Sequence, residues 1–355
     1  MSILETLVWL VDTPSELGNE AAICSSIVDR LSARYDGDSV VRLGNSVVIG
    51  RSTGKPLVLL VGHIDTVPAQ GQPPAFVRDG MLYGLGTSDM KSGLAVMVHL
   101  LEDPEVTNGP FDVVGVFYDG EEGPAVGNHL EQVLQAIPWL RGAEFGVVME
   151  PTDLRIEIGC NGAINATVRF IGKSAHSARP WLGENAITKA GAWLAELHGR
   201  PPELFDIDGL EYREVFSVTK ASGGIANNIL PPSFSLNLNY RFPPVFSVEE
   251  AVGRLRLLAL AADEVEIVDR APAAPVPEDN RYLDRLIEVT RAERAAKQGW
   301  TDVARLAEYG VPAVNYGPGI VAQAHQVSEH VPIANLTVAF ENLKRFLTQN
   351  LGTGT

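Results

Sequence analysis

Unbroken apolar runs alternate with stretches of helical periodicity through the first 150 positions and again near the end of the chain. Leu57 to Val61 is wholly apolar, as in a strand buried on both faces of a parallel sheet. "FDVVGVFY" and "EFGVVM" repeat the pattern, and "VPAVNYG" adds a later run. Between these runs the apolar spacing is helical. "SILETLVWLV" reads as an amphipathic helix and residues 20–34 as a second. "TSDMKSGLAVMVHLLED" reads as a third, opening near Ser88 or Asp89. In "FVRDGMLYG", Asp79-Gly80 between short apolar runs predicts a hairpin. Strands alternating with helices predict an α/β domain with a mixed, mostly parallel sheet.

The period changes in the middle of the chain. "INATVRFIGKSAHSA" and "PSFSLNLNYRFPP" alternate apolar and polar positions, the mark of strands with one wet face. A helix, "NAITKAGAWLAELHG", lies between them, and "LLALAADEVEIVDR" adds a helix end and a strand. This block predicts a smaller α+β domain, residues 163–276, inserted into a first domain made of 1–162 and 277–355. "APAAPVPEDN" is the return linker, and "RYLDRLIEVTRAER" and "LTVAFENLKRFLTQ" are helices that complete the first domain.

Composition narrows the partners. The 355 residues allow about two domains. A formal net charge of −16 argues against nucleic acid and anionic membranes as main partners. Two cysteines, Cys24 and Cys160, make no disulfide framework and suit a reducing compartment. The N-terminus has no basic start, and no run approaches a membrane span, so the expectation is a soluble cytoplasmic protein.

Ligand-type residues collect where the apolar runs end. His63 and Asp65 follow the Leu57 run, Glu121 and Glu122 follow "VVGVFY", and Glu150 ends "FGVVME". Asp89 lies in the loop before a helix, and His325 follows "VPAVNYG". Open α/β sheets bind ligands at the carboxyl ends of their strands, so these stretches can converge on one crevice. Two imidazoles with several carboxylates suit zinc, and also cobalt or manganese. Two cations sharing a bridging Asp make a hydrolytic site. Neighbouring residues in extended chain point opposite ways, so Glu121 and Glu122 can divide the work between proton transfer and metal binding.

Each residue alone has a plainer explanation. Asp89 suits a helix N-cap, Glu121-Glu122 a wet turn, Glu150 a strand end before Pro151, and His325 and His330 a surface. For all of these to hold, every polar residue must sit at a strand end by chance. Other motifs fail on spacing. Met90 stands where a P-loop needs its second Gly, "GLGTSD" lacks the third Gly of a dinucleotide fingerprint, and no G-x-S-x-G elbow is present.

"GHIDTVP", "YGLGTSDMKSG", "DGEEG", "MEPT", "GKSAHSARP" and "AHQVSEHVP", in that order, resemble the M20 metallopeptidase/deacylase family over nearly the whole chain. The resemblance implies a zinc-exopeptidase-like catalytic domain with two Zn2+ per subunit and an inserted lid and dimerisation domain in a homodimer. The implied reaction is hydrolysis of an amide in a small acylated amino acid. His63 and Glu150 match ligands of one metal, Glu122 and His325 ligands of the other, and Asp89 the bridge, with a cis peptide after it. Glu121 matches the general base and Asp65 the carboxylate that orients His63. His176 matches a histidine that polarises the scissile carbonyl in the partner's site. Asn228 and Arg241 match substrate-binding positions, with Arg179 a weaker third. A guanidinium grips a carboxylate in two places, which gives Arg241 its own physical warrant.

Overall fold

The apolar runs become adjacent parallel strands at the centre of one sheet. A computed structural model describes residues 1–123 and 127–349. Leu57–His63 pairs in parallel with Asp112–Tyr118 on one side and with Phe145–Val148 on the other. Ala313–Asn315 continues in parallel beside Phe145–Val148. Every residue of these four strands is buried, which is why they carry no apolar–polar alternation. The hairpin Val40–Leu43 and Ser46–Ile49 adds antiparallel strands at one side. Ile156–Ile158 and Arg294–Ala296 complete the eight strands at the other. The sheet is thus mixed and mostly parallel at its centre.

Helix Ser92–Glu102 packs on Leu57–His63 and Asp112–Tyr118 and is itself packed by Ile3–Val11 and Ile333–Thr348. Ser2 caps the first of these with a reciprocal capping box to Glu5. Gly93 lets Ser92–Glu102 approach the strand end, since a Cβ there would collide with the Met149 carbonyl. The Asp79-Gly80 signal is a tight turn, with both residues at positive φ, between Phe76–Arg78 and Met81–Tyr83.

By its own contacts the chain divides into two units. One comprises Met1–Ile158, Pro277–Ala295 and Arg305–Thr355; the other comprises Gly159–Val276 and Ala296–Ala304. The short segment 296–304 joins the second unit through backbone and side-chain bonds. Asn161 N donates to Lys297 O, and Trp300 Nε1 donates to Pro272 O.

The second unit is a five-stranded antiparallel sheet in the order Glu203–Ile207, Leu210–Gly223, Ser233–Phe242, Gly162–Ile171, Glu264–Ala271. Gly162–Ile171 and Ser233–Phe242 alternate buried and half-exposed residues. Their buried side packs with Ala186, Trp193, Ala251 and Leu255 from the helices.

Three expectations need correction. The third helix opens at Ser92, because Asp89 and Met90 have non-helical backbone and the peptide between them is cis. The helix expected over 185–199 is two, Ala186–Lys189 and Gly191–Gly199. The helix from Arg281 ends at Thr290, where Arg291 turns left-handed and the chain goes on into Arg294–Ala296.

Candidate metal centre

Parallel pairing puts the carboxyl ends of the central strands on one edge, and the site is built there. His63 ends its strand with 1% exposure. Its Nδ1–H donates to the Asp65 carbonyl at 3.0 Å. That bond leaves Nε2 facing Asp89 Oδ1 at 3.2 Å and Glu150 Oε1 at 3.9 Å. Burial alone would lower the His63 pKa, but Asp65 and Asp89 outweigh it and hold the ring well above its ordinary value.

The Asp65 carboxylate shapes the loop of the paired glutamates. It accepts the backbone N–H of Gly120 (3.0 Å), Glu121 (3.2 Å) and Glu122 (2.9 Å). Burial raises its pKa, but His63 and these donors outweigh burial and leave it lowered. Gly120 sits at φ +84, where a side chain is strained. Glu121 and Glu122 therefore lie in a turn and not in extended chain, so the pleat does not part them. Both offer an oxygen near His63, with one donor atom of each residue within 4.8 Å of the others. At the loop's far side Asp119 accepts from Ser46 Oγ at 2.5 Å and faces His129 Nδ1 at 2.7 Å.

His325 has positive φ and is half-exposed. Its Nε2 lies 2.9 Å from Glu122 Oε2 and 3.5 Å from Asp89 Oδ2. The Glu122 contact raises its pKa to about 9. His330, the alternative, bonds the Ser328 carbonyl and lies against Tyr83.

Beside the His63/Glu121/Glu122 set, two further sets among the described residues share Asp89. His63, Asp89 and Glu150 form one, and Asp89, Glu122 and His325 the other, with donor atoms within 4.8 Å in each. Carboxylates this close repel one another unless a cation lies among them. One imidazole and two carboxylates per set, with Asp89 common to both, fit a pair of divalent cations.

Glu329 escaped the sequence reading. Its buried carboxylate accepts from Gly86 N at 2.7 Å, Ser88 N at 2.7 Å and Asp89 N at 2.9 Å. Burial outweighs these donors and pushes its pKa up to about 7. Only its place in "HQVSEH", four residues after His325, could have pointed to it.

The remaining candidates lie in the second unit. His176 and Asn228 are exposed and on adjoining backbone: His176 bridges Ile229, and Ser177 N donates to Asn228 O. Arg179, also exposed, closes a turn with its N–H on the His176 carbonyl. Ala178 N donates to His176 Nδ1 at 3.1 Å, so a neutral ring carries its proton on Nε2. Arg241 is apart from them. Its strand begins at Ser233, opposite Ile171 and next to the His176 loop, whereas Arg241 pairs Ala163 eight residues further on. That is roughly 26 Å along the strand. Arg241 Nε donates to Asn239 Oδ1, Asn239 Nδ2 donates to Asn165 Oδ1, and Asn237 donates to the same oxygen. Burial lowers the Arg241 pKa.

Residues 59–349 match the peptidase family M20/M25/M40, and the chain belongs to that family. A Mycobacterium tuberculosis protein carrying the name DapE is 38% identical over 346 residues, 97% of each chain. A Corynebacterium glutamicum protein named succinyl-diaminopimelate desuccinylase is 36% identical over 96% of this chain and 94% of its own. Among solved structures, a Staphylococcus aureus tripeptidase shares the fold. Its TM-score is 0.79 at 23% identity, over 98% of this chain and 97% of that one. Among the described residues no helix is long and apolar enough to cross a membrane.

Proposed function

We propose that this protein is a two-metal amidohydrolase. It cleaves N-succinyl-LL-2,6-diaminopimelate to succinate and LL-2,6-diaminopimelate, a cytoplasmic step toward diaminopimelate and lysine. The reading rests on one observation above all: two ligand sets drawn from strand ends and loops share Asp89, with Glu121 near the same donors. The substrate follows from relatives 36–38% identical over nearly the full chain.

His63, Asp89 and Glu150 would hold one cation, and Asp89, Glu122 and His325 the other. Zinc is the preferred ion, with cobalt or manganese as substitutes. When bound, the pair polarises the amide carbonyl and lowers the pKa of the attacking water. The protein supplies the rest. The Glu121 carboxylate takes a proton from that water and returns it to the leaving nitrogen. Asp65 fixes the Glu121 turn and the tautomer of His63. The His176 Nε2–H donates to the developing oxyanion. Arg241 would hold the substrate's carboxylates from its own subunit, and Asn228, with Arg179 in support, would do so from the partner, beside His176. In one chain the His176 loop and Arg241 occupy opposite ends of a strand. That supports a homodimer in which the partner's His176 completes the site.

Glu121→Gln tests the central role. It should nearly abolish turnover while both metals stay bound, because the amide cannot take the proton and the proposed ligands are untouched. Near-normal kcat in the metal-loaded variant would remove Glu121 from that role.

A further inference from the structure

Two of the proposed ligands, Asp89 and His325, come from loops far apart in sequence, and something must set the distance between them. His325 cannot do so alone. It is half-exposed, at positive φ, and flanked by a short 3-10 turn, Val321–Gln323. The Asp89 turn is not regular helix either, since Asp89 and Met90 leave the helical backbone.

Two side chains, Ser88 and Glu329, join the two loops. Ser88 Oγ donates to the His330 carbonyl at 2.8 Å and accepts from Ile320 N at 3.0 Å. It therefore grips the His325 segment on both flanks. Glu329 makes the second join, with three backbone N–H groups of the Asp89 turn on its two oxygens. Its own backbone is fixed as well: Glu329 N donates to Gln326 O, and its carbonyl accepts from Gly84 N. The next residues, His330–Pro332, pair with Met81–Tyr83. A carboxylate suits this place because it is an acceptor on both oxygens, and the turn presents only donors. An amide has one acceptor oxygen, so it would leave an N–H of the turn facing an NH2 group.

We propose that Glu329 is a positioning residue that sets the Asp89–His325 separation, and through it the affinity of the Asp89/Glu122/His325 metal position. The inference rests on the two-metal reading above. One metal position thereby depends on a side chain outside both proposed ligand sets. The His63/Asp89/Glu150 position depends less on Glu329, because His63 and Glu150 come from strand ends that the Glu329 contacts do not touch.

The test is calorimetric titration of metal-free protein with Co2+, comparing the unmodified chain with Glu329→Gln, Glu329→Asp and His325→Ala. Glu329→Gln should weaken one metal equivalent by about 10- to 100-fold and leave the other nearly unchanged, the usual scale for a group that orients a ligand. Glu329→Asp keeps the charge but shortens the reach, so it reports position even if the amide variant does not fold. It should weaken the same equivalent by a smaller factor. A merely structural role would lower the melting temperature without separating the two equivalents. If His325→Ala loses one equivalent while both Glu329 variants bind two metals as the unmodified chain does, the positioning role is wrong and the metal reading stands. If His325→Ala also binds two metals unchanged, the metal reading itself fails.

Discussion

At the scale of single residues, Arg241 is the proposed tie between substrate and fold. Its Nε is engaged by Asn239, which is held in turn by Asn165, so the outer edge of the guanidinium is presented in a fixed direction. The proposed substrate carries three carboxylates and the chain is strongly acidic, so long-range attraction cannot hold it and local donors must. Arg241→Ala should lower kcat/KM by about ten- to a hundredfold, the loss of a hydrogen bond to a charged partner. The loss should fall mainly on KM, with metal content unchanged. Arg241→Lys should restore only part, since a point charge lacks the bidentate fork. Steady-state kinetics with metal analysis checks this, and an unchanged kcat/KM would return Arg241 to an ordinary strand cation. Among the candidates, the metal-ligand types were the most legible in the sequence, because their chemistry is written in residue type and strand-end position. Glu329 was not. A carboxylate that bonds only backbone N–H groups leaves no mark that separates it from a surface glutamate.

At the scale of elements, strands were easier to read than boundaries. The apolar runs were plain because both faces of the central strands are buried. The alternating runs were plain because one face of the second sheet is wet. The hairpin Glu203–Ile207 and Leu210–Gly223 went unread, although Asp208-Gly209 sits at its turn with both residues at positive φ. "EYREVFSVTKASG" carries charge and small polar residues on a largely exposed strand, so the apolar signal was weak.

That strand also carries Glu214, which receives two Arg254 donors at 2.7 Å from the helix Val248–Leu258 and the Tyr240 hydroxyl. Burial raises the Glu214 pKa, but Arg254 and Tyr240 outweigh it and leave it lowered. Its folded pKa lies below the unfolded value near ~4.3, so its stabilisation is complete above that pH and is lost as pH falls through the folded value. Glu214→Ala should cost about 2 kcal/mol at neutral pH, allowing for solvent screening at the partly exposed Arg254. Melts of both proteins between pH 6 and 3 should converge on acidification. A difference that stayed constant with pH would deny the ion pair its role.

At the scale of the whole molecule, the proposed homodimer assigns His176 to the partner's site. Mixing two nearly inactive variants, His176→Ala and Glu121→Gln, tests it. In a mixed dimer one site would combine an intact Glu121 with the partner's His176. Random exchange should therefore restore about a quarter of the unmodified activity. No recovery after demonstrated subunit exchange would place His176 in its own subunit's site or outside the mechanism.

The central claim is a metal-dependent amidase selective for a succinylated diamino acid. Its most direct test is parallel turnover of N-succinyl-LL-2,6-diaminopimelate and N-acetylornithine by protein of measured metal content. The account predicts two metals per chain, activity lost on chelation and regained with Zn2+ or Co2+, and a kcat/KM for the succinyl substrate well above that for the acetyl one. Preference for N-acetylornithine, or turnover that survives complete metal removal, would contradict it.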